Sequence, residues 1–143
     1  MINKLLLTLL LALNVFASNT KMQSRELSTK DMKSQNKEIV KLAAAAMNKS
    51  LPQTIDKYTT LKTVKADKDT IVYIYELNIA PKTDATVKKE DYTRMKKAIT
   101  RGTCASSKRF LESNIALRYI YTSKSSKKEL FRFEVKQESC SKI

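Results

Sequence analysis

Apolar and polar residues alternate along this chain with two different periods, and the places where the period changes mark its elements. In residues 37–51, KEIVKLAAAAMNKSL, the positions Val40, Ala43, Ala44, Met47 and Leu51 recur at helical spacing. The alanine run has the highest intrinsic helix propensity, so a first helix is predicted from Asn36 onward, ended by Pro52. Small alanines on the apolar stripe imply a close approach to a neighbouring element, such as the face of a sheet. A helix lying on a membrane surface is the alternative for the same stripe.

Residues 59–77, TTLKTVKADKDTIVYIYEL, switch to the two-residue period of strands. Two β-rich runs flank Asp67, Lys68 and Asp69, the composition of a hairpin turn. In the second run Ile71, Tyr73, Tyr75 and Leu77 point one way, while Val72 and Ile74 point the other. Apolar residues on both faces predict a central strand that is covered twice or meets a partner. The first run, near residues 61–64, is weaker and suits an edge.

After a loop over 78–86 the helical period returns. Thr86 is read as the N-cap, and VKKEDYTRMKKAIT aligns Tyr92, Met95 and Ile99 on one stripe, with Arg94, Lys97 and Arg101 nearly opposite. Gly102 is expected to stop this helix in a left-handed conformation. A short third helix, SKRFLES, follows with Ser106 as cap; it buries Phe110 and Leu111 and ends at Asn114. The runs NIALRYIYTS and ELFRFEV then send Ile115, Leu117, Tyr119, Tyr121 and Phe131, Phe133, Val135 to one face each, joined by a turn over 123–128. Ile71, Tyr73 and Tyr75 in the first hairpin are echoed by Leu117, Tyr119 and Tyr121 in the second, which three shared positions do not make a duplication.

The elements add up to an α+β domain over residues 36–143: an antiparallel sheet of about four strands with helices packed on one face, in the order α-β-β-α-α-β-β. Residues 18–35 are polar and hold few large apolar side chains, the composition of a flexible leader, with a helical turn after Thr29 as its one ordered feature. Residues 1–17 carry Lys4, an apolar run from Leu5 to Leu13, and small residues ending at Ala17, the layout of a secretory signal peptide. The run is shorter than the roughly 20 residues a membrane-spanning helix needs, so an uncleaved anchor is the weaker reading. The mature chain is therefore expected in the periplasm or outside the cell, not spanning the membrane.

Export changes the reading of the two cysteines. In an oxidising compartment Cys104 and Cys140 are expected to be joined, the bridge fastening the helical layer to the end of the last strand. Zinc is a poor alternative, because the chain has no histidine and two thiols fall short of the usual four ligands. Charge adds a question instead of an answer. The formal net charge is +14, and 22 of the 28 basic residues are lysine, where dedicated phosphate recognition favours arginine forks. A solvated lysine-rich surface is the simpler reading; an anionic partner is the sharper one, with Arg94, Lys97, Arg101, Lys108 and Arg109 as its basic face. Nucleic acid is not expected as a partner of an exported protein.

Catalytic chemistry finds little to work with. There is no histidine, the acids Asp67 with Asp69 and Glu90 with Asp91 read as turn and helix-start residues, and a single glycine excludes both a phosphate loop and a nucleophile elbow. No enzyme activity, cofactor or metal is expected. Asn48-Lys49-Ser50 has the N-x-S pattern of glycosylation acceptors, read as chance. What is left for function is surface: Tyr73, Tyr75, Tyr119 and Tyr121 as an aromatic sheet face, with packing beneath the helices as the competing reading, and the basic face.

The segment NKSLPQTID, the Tyr-x-Tyr strands, and the two cysteines with FRFEV before the second together resemble a group of small exported proteins of proteobacteria, over roughly residues 40–140. These motifs are structural and carry no catalytic positions. The chain departs from that group where hairpin turns hold lysine, serine and aspartate in place of glycine. It is more loosely similar to the pilotins of secretion systems, which are also small, exported and single-disulfide. With surfaces left as the carriers of function, the leading expectation is a non-enzymatic periplasmic binding or assembly module that acts on another envelope protein through a sheet face or edge. Two other functions stay open: an inhibitor or immunity protein against a hydrolase or toxin, and a binder of anionic lipid or polysaccharide.

Overall fold

A computed structural model describes residues 28–141. The signal-peptide reading and the first part of the leader lie outside the described residues. Helix α1 runs Thr29–Asn48, capped at its start by the Ser28 hydroxyl, which accepts from the Asp31 amide. It thus begins seven residues before Asn36, the start that the apolar pattern predicts, and takes in the end of the polar leader. Its buried positions are Val40 and Ala44, as the helical spacing predicts. The polar first two turns are carried by the cap and by Asn36, whose amide donates to the Ser113 carbonyl at 2.7 Å.

Among the described residues the sheet has five strands, not four: β1 (Gln53–Thr54), β2 (Thr59–Asp67), β3 (Thr70–Leu77), β4 (Ala116–Ser123) and β5 (Glu129–Val135), in spatial order of sequence. β1 is a two-residue strand that closes the outer side of β2, in a stretch too short to show a period. The sheet is also mixed. β2–β3 and β4–β5 are antiparallel hairpins, but β3 and β4 run parallel. The hairpins are joined by α2 (Asp84–Ser106) and α3 (Lys108–Glu112), a helical crossover, and such a connection returns the chain to the same end of the sheet.

Two bulges reset the two-residue period. Between Leu61 and Thr63 the register slips, so Leu61 and Val64, three residues apart, both reach the core. A second slip between Tyr121 and Thr122 lets Leu130 and Phe131 both be buried. The bulge accounts for the weak pattern of the first run, which lies next to the edge as its composition suggests, with only the two residues of β1 outside it.

The described helices α1, α2 and α3 pack on one face. α1 sits on β2 and β3 through Val40, Ala44, Val64 and Ile71, α2 sits on β5 through Val87, Phe131 and Phe133, and α3 seats Leu111 against Leu117 and Val135. Gly102 does not end α2. It lies inside the helix with no positive φ, and the helix continues to Ser106, with Cys104 in its last turn. The N-cap is Thr83, whose hydroxyl accepts from the Thr86 amide, and Ser107, not Ser106, precedes α3. Asn114, with φ 60°, supplies the left-handed stop of α3. Cys140 is not on the last strand but on a four-residue helix α4 (Gln137–Cys140), and its disulfide to Cys104 ties α4 to the end of α2, with Cα atoms 5.6 Å apart.

Candidate interaction surfaces

The four tyrosines are brought together by the parallel pairing. Tyr73 faces Tyr119 and Tyr75 faces Tyr121 in register, and each pair stacks, with ring centroids 5.2 and 4.9 Å apart. Tyr121 is buried; the other three are half-buried beneath the helical layer. The Thr103 hydroxyl, itself buried in α2, donates to the Tyr119 oxygen at 2.8 Å. Burial pushes the phenols of Tyr73 and Tyr75 up to about 12 and raises those of Tyr119 and Tyr121, so the ladder stays neutral. Most of this aromatic face serves as core between the layers.

Beside the ladder the inner face is less well covered. α1 ends at Asn48, level with Val64, short of Thr59 and Leu77 at the far ends of β2 and β3. There a cleft of about 560 Å³ opens between α2 and the ends of β2 and β3. Leu77, Ile79, Val87 and Met95 make it apolar, Tyr58 stands at its side half-exposed, and the ion pair of Arg94 with Asp91 at 2.7 Å stands at its rim. The Tyr58 turn is held by Asp56, whose carboxylate accepts from the Tyr58 and Thr59 amides at 2.7 and 2.8 Å; these bonds keep that carboxyl below its ordinary range. Neither Tyr58 nor Ile79 was marked by the sequence, because both lie in short connections without a period.

The proposed basic residues are not gathered on one surface. Arg94 lines the apolar cleft and is paired, while Lys97 and Arg101 line a separate hollow of about 710 Å³ between α2, Glu134 and α4. Lys108 is paired with Glu112 at 3.6 Å, and Arg109 is exposed on α3. The 100° step per residue aligns 94, 97 and 101 on a wheel, but the surroundings of the helix divide them.

The opposite face of the sheet carries Val72, Ile74 and Ile120, and no described helix packs on it. Arg118 crosses it from β4, donating to Asp67 on β2 at 2.8 Å and to Glu134 on β5 at 2.8 Å. To reach Asp67 it must pass over β3, which accounts for Val72 being 5% exposed without a helix above it. Burial alone would raise the Glu134 carboxyl, but bonds from Arg118 and Lys136 outweigh it and hold it low. At the far end Lys127 donates to Glu76 at 2.8 Å, lowering that carboxyl too. Asn48 completes the β2 edge beyond β1: its amide donates to the Val64 carbonyl at 2.6 Å and accepts from the Val64 amide at 2.9 Å. The side chain of the N-x-S triplet is thus engaged as a surrogate strand partner.

The fold and these surfaces define a small two-layer α+β module with one disulfide, its helices on one side of a mixed sheet. The chain belongs to the family described as Domain of unknown function (DUF8479), whose pattern matches residues 34–131. No curated protein matches it significantly in sequence. In structure it is similar to a Pseudomonas aeruginosa protein classed as secreted, with TM-score 0.68 and 9% identity over 76% of this chain and 96% of the other. It is also similar to EpsS, the pilotin of the Vibrio vulnificus type 2 secretion system (TM-score 0.65, 15% identity, 78% and 96% covered). AspS, the type II secretion system pilotin of Vibrio cholerae, matches with TM-score 0.56 and 14% identity, covering 78% and 97%. At such identities the likeness is one of fold. Among the described residues no helix is long and apolar enough to cross a membrane.

Proposed function

We propose that this protein is a non-enzymatic binding module of the bacterial envelope, exported by its N-terminal signal and acting in the assembly of another envelope protein. The observation that carries this reading is the apolar cleft beside the tyrosine ladder. Its walls are fixed by the Asp56 turn and by α2, its lining joins Leu77, Ile79, Val87 and Met95 to Tyr58 and the charged Lys82, Asp91 and Arg94, and an apolar surface with such a polar rim suits side chains of a partner protein. The fold shared with two secretion-system pilotins supports the same class of role.

The test is affinity capture from envelope extracts with the tagged mature chain and its Tyr58→Glu variant, compared by mass spectrometry. Tyr58 is 53% exposed, so a carboxylate there leaves the fold intact while charging the cleft. A defined envelope protein retained by the parent chain and lost from the variant is the expected result. An identical set of captured proteins from both would remove the cleft from the account.

A further inference from the structure

The two edges of the sheet are finished differently. On the β2 side the chain closes its own edge: β1 pairs with Thr60 and Leu61, and the Asn48 amide satisfies Val64. On the other side β5 (Glu129–Val135) is seven residues long, contains no proline, and has no strand beyond it among the described residues. Alternate residues of an antiparallel edge strand turn their N–H and C=O groups away from the sheet, which makes it a template for another extended segment.

Alongside this edge lies the hollow of about 710 Å³ that Lys97 and Arg101 share with Thr93, Thr100 and Glu134. From Thr93 to Arg101 the helix rises about 12 Å, the length of about four residues of extended chain at 3.3 Å each. Next to its Thr93 end, outside the lining, Tyr92, 45% exposed, rests on Phe133 with ring centroids 5.3 Å apart and has the Lys96 ammonium 6.0 Å from its own centroid. The helix wall is cationic: Lys96, Lys97 and Arg101 have no ion-pair partner among the described residues. On the facing side Glu134 is bonded to Arg118 and Lys136, and Glu138 of α4 completes the lining.

We infer that β5 and the outer side of α2 form a strand-addition site for an extended, acidic segment of another protein. The segment pairs with the backbone of β5, its alternate carboxylates meet Lys97 and Arg101, and an apolar residue lies on Tyr92. This site is distinct from the cleft on the other side of α2, and it is read with a peptide alone, so its failure and that of the cleft are separable.

The probe is a fluorescent octapeptide alternating glutamate with valine, titrated into the purified disulfide-bonded protein at low salt by anisotropy, with hydrogen exchange followed residue by residue. Saturable binding, with new protection confined to alternate amides of Glu129–Val135, is expected. The pair Lys97→Glu and Arg101→Glu should weaken it at least tenfold, whereas the charge-matched pair Lys30→Glu and Lys33→Glu on α1 should change it less than twofold. An N-methylated version of the peptide, which cannot donate to the strand, should not bind. The proposal is overturned by absence of binding at millimolar peptide, by binding without protection of β5, or by equal losses from the two charge-reversed pairs.

Discussion

Tyr73 on β3 and Tyr119 on β4 are direct register partners of a parallel strand pair, and their rings stack within 9° of parallel. Behind them stands a part-buried hydrogen bond, from the Thr103 hydroxyl to the Tyr119 oxygen. Tyr119→Phe would leave that hydroxyl unsatisfied in a site where Thr103 is 3% exposed. A loss of about 1–2 kcal/mol is expected in urea unfolding. Combining Tyr119→Phe with Thr103→Val should recover most of it, because both polar partners are then gone, and a double-mutant cycle measures the coupling.

Gly102 sits within α2, and a Cβ built on it meets nothing within 4 Å. Glycine in a helix interior costs roughly 1 kcal/mol relative to alanine. Gly102→Ala should therefore raise the unfolding midpoint, by about 0.5–1 kcal/mol of stability. A decrease would mean that the backbone there needs a freedom the helix does not show.

Asn48 bonds both backbone groups of Val64, which is 1% exposed. Asn48→Ala should cost about 2 kcal/mol, since two strand groups lose their partner at once. Denaturant unfolding reads the cost, and faster exchange of the Val64 amide locates it.

The disulfide closes a loop between positions separated by 36 residues. Replacing both cysteines by serine should lower stability by about 3–4 kcal/mol in the chain-entropy model. The same loss should appear when the parent protein is unfolded with and without reductant.

Stability should fall at both ends of the pH scale, for opposite reasons. The carboxyls of Glu76, Glu129 and Glu134 are lowered in the folded state, so their contribution is full above the unfolded carboxyl range and is lost as pH falls through the folded values. Unfolding midpoints should be flat from pH 6 to about 5 and drop below about 4.5. Glu134→Gln should flatten that limb. The phenols of Tyr73 and Tyr75 are raised to about 12, so the folded state holds protons that the unfolded state releases above about 10. Stability should decline above that pH, and the absorbance of their phenolates should rise together with loss of structure.

What is local in this fold was legible in the residues alone. Helical spacing at Val40, Ala44 and Met47 places α1, period-two alternation from Ile71 and from Leu117 places both hairpins and their buried faces, and Asn114 stops α3 because its side chain tolerates positive φ. The pattern was silent where local preference is overruled or too brief to register. Gly102 remains helical because the long helix around it outweighs one weak residue, and β1 and α4 are too short to carry a period. How the hairpins join is a matter of tertiary packing. The echo of Ile71, Tyr73 and Tyr75 in Leu117, Tyr119 and Tyr121 gains its meaning there: the matching positions are cross-strand partners in a parallel pair, an arrangement that α2 and α3 impose by returning the chain to the same end of the sheet. The cleft and the open β5 edge depend on that same non-local choice, because each lies between elements distant in the chain, and no residue pattern within either element records the gap.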